Sequence, residues 1–154
     1  MLVIAQACIL AGCAGSKDYT STKDKQELFE LFFGFAPPKT VSDVDGRRVW
    51  VGDTLADWIR VRCNPELFEK IVTTTEMNAF NKAQLDESWK YQLPELDMPN
   101  PNAPSWWPSE PRKTIEILYY KRRPYSESQS QADELYFWRD AASGNVFAHY
   151  ASWR

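Results

Sequence analysis

The side chains able to do chemistry are few. Cysteine occurs three times, as Cys8, Cys13 and Cys63, and histidine once, as His149. A zinc site needs three or four ligands converging at defined spacing, and one imidazole with no second His and no Cys pair does not supply it. No metal site and no cofactor are expected. His149 alternates with Phe147 and Ala151 in an apolar stretch, which predicts a strand histidine satisfied by a neighbour. A Ser-His-Asp set built around it finds no nucleophile-elbow glycine pattern. Six glycines in the whole chain include no phosphate-cradling loop. Paired carboxylates are set by three-dimensional spacing alone, and the sequence singles out no pair, so no catalytic residue is assigned. What remains is Ser105-Trp106-Trp107-Pro108. Neighbouring side chains on an extended chain point opposite ways, so one Trp facing outward would offer a platform for a sugar ring or a partner's side chain. The other reading has both rings packed down, stapling the loop to the domain. Trp106 and Trp107 are the candidate binding residues.

A different chemistry is written at the N-terminus. Met1 to Gly12 (MLVIAQACILAG) carries no charge and is almost all apolar or small. It falls short of the roughly 20 apolar residues that cross a bilayer as a helix but fits the apolar region of an export signal, about 7–15 residues. Leu10-Ala11-Gly12-Cys13 follows at its end, and this resembles the lipobox of bacterial lipoprotein precursors. The resemblance implies a signal peptide over residues 1–12, cut just before Cys13, and a diacylglycerol on the Cys13 thiol with the new amino group acylated. Several acyl chains at about 0.8 kcal/mol per buried methylene anchor a protein stably, where one chain alone is marginal. Ala14 in the second mature position points, by that family's sorting logic, to the outer membrane of a host that has one. No Lys or Arg precedes the apolar run, whereas export signals open on a basic region; the expectation is a true start a few codons upstream. The competing reading is an N-terminal strand or helix buried in a soluble protein. Against it, Ala14 to Lys25 (AGSKDYTSTKDK) is polar and small, the composition of a flexible tether over residues 13–25. With Cys8 removed and Cys13 lipidated, Cys63 has no disulfide partner. It is read as a small apolar filler at a strand end, with a reactive thiol beside Arg62 as the alternative.

These residues need elements to position them, and the remainder, 26–154, reads as one α+β domain. Gln26 to Phe35 places Leu28, Leu31 and Phe32 at helical spacing before Gly34. Val41, Val44 and Val49 to Val51 are strand-forming, broken by Asp45-Gly46 as a turn signal. A Gly52-Asp53 turn leads to Asp57 to Cys63, where Ile59 and Val61 alternate with Trp58, Arg60 and Arg62, predicting a half-buried strand with its arginines on the wet face. Asn64 caps a helix with Pro65 at its first position and an apolar stripe of Leu67, Phe68, Ile71 and Val72. A further short helix is placed around Asn81 to Leu85. Leu93 to Pro111 holds six of the ten prolines, so it is neither helix nor central strand, and a long ordered loop of this kind is often functional. Thr114 to Lys121, Glu134 to Asp140 and Asn145 to Trp153 are strands, the last two joined by an Ala141 to Gly144 hairpin loop. Lys121, Arg122 and Arg123 read as a strand end meeting solvent, and Arg123 to Asp133 as a polar connection. The sum is a mostly antiparallel sheet of four or five strands with one or two helices on one face.

Phe33-Gly34-Phe35 with Pro37-Pro38, the Pro-started helix, Trp106-Trp107-Pro108 and the closing Asp140…Ser143-Gly144 hairpin together resemble small uncharacterised bacterial envelope proteins, a resemblance that brings no activity with it. The charge of −3 over 154 residues argues against nucleic acid as a partner, since such proteins present a basic face. The expectation is a non-enzymatic, membrane-anchored lipoprotein that binds a protein partner as an accessory, structural or toxin-neutralising component. The alternative is a peptidoglycan- or glycan-binding module, and after it a small hydrolase. Replacing Cys13 with Ser is expected to move the protein from the membrane fraction to the soluble one; a Cys13→Ser protein still in the membrane pellet would refute lipidation there.

Overall fold

Local signals in the chain set most of the elements. Asn64 accepts the Leu67 N–H at 2.8 Å and Pro65 opens the helix α2, Pro65–Thr75, as a side-chain oxygen before a donor-free first turn should. Helix α1, Thr22–Phe33, is capped by Ser21, whose hydroxyl accepts from the Asp24 N–H at 3.1 Å. It stops at Gly34, which takes φ +77° and donates its N–H to the Glu30 carbonyl at 2.8 Å. That left-handed conformation costs glycine nothing and other residues about 1 kcal/mol or more.

The computed structural model describes residues 14–39, 41, 43–96, 100–123 and 131–153. The apolar N-terminal segment, Cys8 and Cys13 lie outside the described residues, as does 124–130 of the polar connection. The fold is α+β. Among the described residues the strands are β1 (Ala14–Asp18), β2 (Val44–Val51), β3 (Thr54–Arg62), β4 (Asn78–Asn81), β5 (Ile117–Arg123), β6 (Ala132–Arg139) and β7 (Asn145–Trp153). They form one sheet of seven in the order β1-β2-β3-β7-β6-β5-β4, every neighbour antiparallel. Two meanders are thus joined by the pairing of β3 with β7. The short helices α3 (Lys82–Asp86), α4 (Ser88–Tyr91) and α5 (Pro111–Thr114) complete the chain order.

The sheet exceeds the four or five strands expected, because both edge strands escape a pattern search. β4 is a four-residue strand with no buried position, and β1 lies in the stretch expected to be a tether. Ala14–Asp18 instead pairs with Arg47–Val51, and the following residues enter α1. Polar composition did not prevent this, since an edge strand takes its stability from main-chain hydrogen bonds on one side and is commonly polar on the other.

Asp45-Gly46 is not a turn. Gly46 sits inside β2 opposite Ile59, and a Cβ there would lie 2.1 Å from Leu28 Cδ2 and 3.2 Å from the Tyr19 ring. Its missing side chain lets α1 close onto the sheet. The turn comes at Gly52, φ +57°. Within α1, Leu31 is 58% exposed, while Phe29 and Phe33 join Leu28 and Phe32 inside; the apolar stripe is wider than the helical spacing suggested and rotated off Leu31.

Both faces of the sheet are covered, not one. On the first, α1 and α2 bury Ile59, Val61, Phe137, Val146 and Ala148 beneath Phe29, Phe33, Leu67 and Ile71. On the second, α3, the Pro-rich loop and α5 lie over Leu118, Tyr120, Tyr136, Trp138 and Phe147. This is why Trp58, on the same alternation as the arginines, is only 1% exposed, while Arg62 is exposed at the strand end. Arg60 lies between them, held by Asp45 Oδ2 at 2.6 and 2.9 Å.

The first face also carries buried charge. Asp57 is wholly buried and accepts two hydrogen bonds from Arg48 on the facing strand, at 2.8 and 2.7 Å. Breaking such a pair from one side leaves an uncompensated charge and typically costs about 3–5 kcal/mol. Arg48→Ala is therefore expected to destabilise the protein by about 3 kcal/mol in urea unfolding, and adding Asp57→Asn to that variant should restore part of the loss. Equal effects of the single and double variants would show that the burial of the carboxylate is not what the arginine compensates.

Candidate functional site

The rung at the middle of the second face carries three rings side by side. Trp58 on β3 and Tyr136 on β6 are both direct neighbours of His149 on β7. Their ring centroids stand 4.9 Å and 5.0 Å from the imidazole. The next rung is Ala56, Ala151 and Glu134, two small side chains and one carboxylate. The Pro-rich loop lies over this face and encloses a hollow with Trp58, Glu134, Tyr136 and His149. The resulting cleft has a volume of about 740 Å³ and is bounded by Trp58, Glu134, Tyr136 and His149 from the sheet and by Glu95, Trp107 and several prolines from the loop. That size is ordinary for a ligand cleft, which spans about 300–1,000 Å³.

The loop is held at both ends. Leu93 and Leu96 are buried in the second core, and the Tyr120 hydroxyl donates to the Gln92 carbonyl at 3.3 Å. At the far end Arg112 donates to the Leu85 carbonyl at 2.6 Å and accepts at its own carbonyl from Lys82 at 2.7 Å. Between them the Trp107 N–H donates to the Pro104 carbonyl at 2.9 Å, closing a turn. The turn decides where the two tryptophans go. The chain is not extended there, so both rings are half-buried against the sheet and meet edge to face at 6.3 Å. Trp107 packs on Trp138 and Phe147 at 5.2 and 5.9 Å, reaches within 6.2 Å of His149 and forms a wall of the cleft. Trp106 instead lies under the Arg60 guanidinium at 5.4 Å, outside the cleft lining.

His149 is not satisfied by a neighbour. Both ring nitrogens are buried and among the described residues neither has a hydrogen-bond partner, and the indole nitrogen of Trp138 on the same face is in the same condition. Native structures pair the large majority of such groups, and leaving one unmet costs about 1–3 kcal/mol. Burial pushes the imidazole pKa down to about 3, so the ring is neutral. Glu134 is moved the opposite way, its pKa raised by desolvation against the lowering influence of Arg122 and the Tyr120 hydroxyl. Trp58, Glu134 and Tyr136 were not picked out from sequence. Glu134, Tyr136 and Trp138 share one strand face by alternation, but that they meet His149 depends on register across three strands.

Cys63 takes no part in this cleft. It is buried, its thiol lies 3.4 Å from the Asn64 carbonyl, and burial raises its pKa to about 11. The thiol stays protonated at neutral pH, the condition of an inert filler. Among the described residues no three His, Cys, Asp or Glu side chains converge to hold a metal ion, and no helix is long and apolar enough to cross a membrane.

The buried imidazole has a signature in acid. Above pH 6.5 the ring is neutral folded or unfolded and contributes no pH dependence. Below 6.5 the unfolded chain takes up a proton that the folded chain accepts only near pH 3, so stability falls by about 1 kcal/mol per pH unit across that window. Glu134, with its raised pKa, works in the opposite sense. Comparison with His149→Phe cancels that contribution: between pH 7 and pH 5 the parent should lose roughly 2 kcal/mol more than the variant in urea unfolding. Parallel pH profiles would show that the ring finds a charged or solvated state in the folded protein. Comparison with protein-family models, with curated proteins and with solved structures finds no match to this chain, and the reading of the cleft rests on its geometry.

Proposed function

We propose that this protein is a non-enzymatic envelope lipoprotein, anchored through lipid on Cys13 and facing the periplasm, whose cleft beneath the Pro-rich loop binds a glycan. In a host with two membranes the anchor is assigned to the outer one. The Leu10-Ala11-Gly12-Cys13 motif supports the address. The single observation that carries the activity is the cleft of about 740 Å³ walled by Trp58, Trp107 and Tyr136 with the unpaired His149 in its wall. A pyranose ring presents a face of C–H groups and a rim of hydroxyls, and a concave site of aromatic walls with a few placed polar groups matches both.

The expected protein partner, as an accessory, structural or toxin-neutralising role would need, is supported less by this geometry. Stable protein interfaces bury about 800 Å² per partner on broad surfaces, and the aromatic residues here line a concavity. Of the large exposed apolar residues described, Trp89 and Tyr91 share the short helix α4, while Leu31, Val51 and Ile117 sit on three other elements. A hydrolase acting through His149 would need that base oriented by a second group, and among the described residues its nitrogens meet no partner.

The Cys13→Ser protein, free of any anchor, is the form to test. It is expected to co-sediment with purified cell-wall glycan, and Trp107→Ala in the same background should weaken that binding about tenfold while unfolding remains cooperative, as loss of an aromatic anchor does. Absence of sedimentation for both proteins would sink the glycan reading and return the protein-partner reading to first place.

A further inference from the structure

The glycan reading leaves open which sugars the cleft takes, and the polar groups in its wall bear on that. Among the described lining residues there is no Lys or Arg; the ionisable ones are Glu95, Glu134, Tyr136 and His149. A cleft lined by carboxylates and no cation repels acidic ligands, and within low-dielectric walls that repulsion is weakly screened. The neutral imidazole offers no charge of its own. It does offer one N–H donor and one bare nitrogen acceptor, both unmet and both buried. An ammonium could satisfy only the acceptor and a carboxylate only the donor. Hydroxyl groups do both.

Its surroundings show that this imidazole is not there for packing. Trp58, Tyr136 and Trp107 enclose the ring at centroid distances of 4.9, 5.0 and 6.2 Å. An aromatic box of this kind would hold a phenyl ring of similar size with no polar group left unmet. Two of its walls belong to the sheet; the third, Trp107, is half-buried on the loop and is the wall a ligand can displace without moving a strand. Retaining a polar ring where an apolar one fits better is the trade of stability for function seen at binding sites.

Resting on the glycan reading, we propose that His149 is the residue that reads the ligand and that the ligand is a saccharide unit bearing no acidic group. Its hydroxyls accept from one ring nitrogen and donate to the other, while Glu134 accepts a further hydroxyl and Trp107 covers the ring face.

The test uses the Cys13→Ser protein and three sets of oligosaccharides of equal length: neutral tetramers of glucose and of N-acetylglucosamine, the cationic tetramer of glucosamine, and the anionic tetramer of galacturonic acid. A neutral tetramer is expected to bind, with the cationic one at least as tight and the anionic one at least tenfold weaker. His149→Phe should melt at the same temperature as the parent or higher, yet bind the neutral tetramer at least tenfold more weakly. The ¹⁵N resonances of the His149 imidazole should shift on titration with that tetramer, a readout that a purely structural ring would not give. Unchanged binding by His149→Phe, unmoved imidazole resonances, or an anionic tetramer binding as tightly as neutral ones would overturn the proposal while leaving a glycan site in place. Failure of every tetramer and of cell-wall glycan to bind the parent protein would remove the glycan reading itself.

Discussion

The antiparallel pairing of β3 with β7 joins two halves that would otherwise be separate three- and four-stranded meanders. Its register spans Leu55 to Arg62 against Ser152 to Asn145. Because side chains alternate strictly across a strand, that single register sends Ile59 and Val61 with Ala148 and Val146 to one face, and Trp58 with His149 to the other. A slip of one residue would bury Arg60 under α1 and α2 and turn the apolar set to the loop side. Every other placement in the sheet follows from this joint, since β2 takes its register from β3 and β6 from β7.

With the register set, the two faces solve different packing problems. The first is closed by two regular helices, whose phenylalanines fill it densely and whose approach at Gly46 depends on a missing side chain. The wholly buried carboxylate there, Asp57, is tolerated because Arg48 stands directly opposite. The second face is closed by short helices and a loop whose prolines cannot join a strand or continue a helix. Such a cover fits less tightly than two helices, and it leaves a cleft beside Trp58, His149 and Tyr136. The hollow is thus a consequence of an irregular roof over an aromatic floor.

Placing His149 in that wall has a cost the fold must carry: a ring held neutral by burial with both nitrogens unmet. Net stability of a domain is about 5–15 kcal/mol, so one or two unmet polar groups are a noticeable fraction of it. The densely packed first face is the part of the molecule able to offset this. Structure and proposed role are connected there, with one face of the sheet supplying stability and the other holding the strained polar arrangement.

By itself the sequence determined the local features: the α+β class, the start of α2 at Asn64-Pro65, the stop of α1 at Gly34, the turn at Gly52, the closing hairpin and the irregular course of the Pro-rich loop. Each of these rests on backbone chemistry confined to a few neighbouring residues, which is why it can be read in one dimension. The tertiary structure decided the rest. It recruited polar Ala14–Asp18 and short Asn78–Asn81 as edge strands, covered both faces of the sheet, turned Trp107 toward the cleft and Trp106 toward Arg60, and set His149 between Trp58 and Tyr136 with Glu134 one rung away. These depend on which strands lie side by side and in what register, and residues 58, 134, 136 and 149 carry no signal of that in their spacing along the chain.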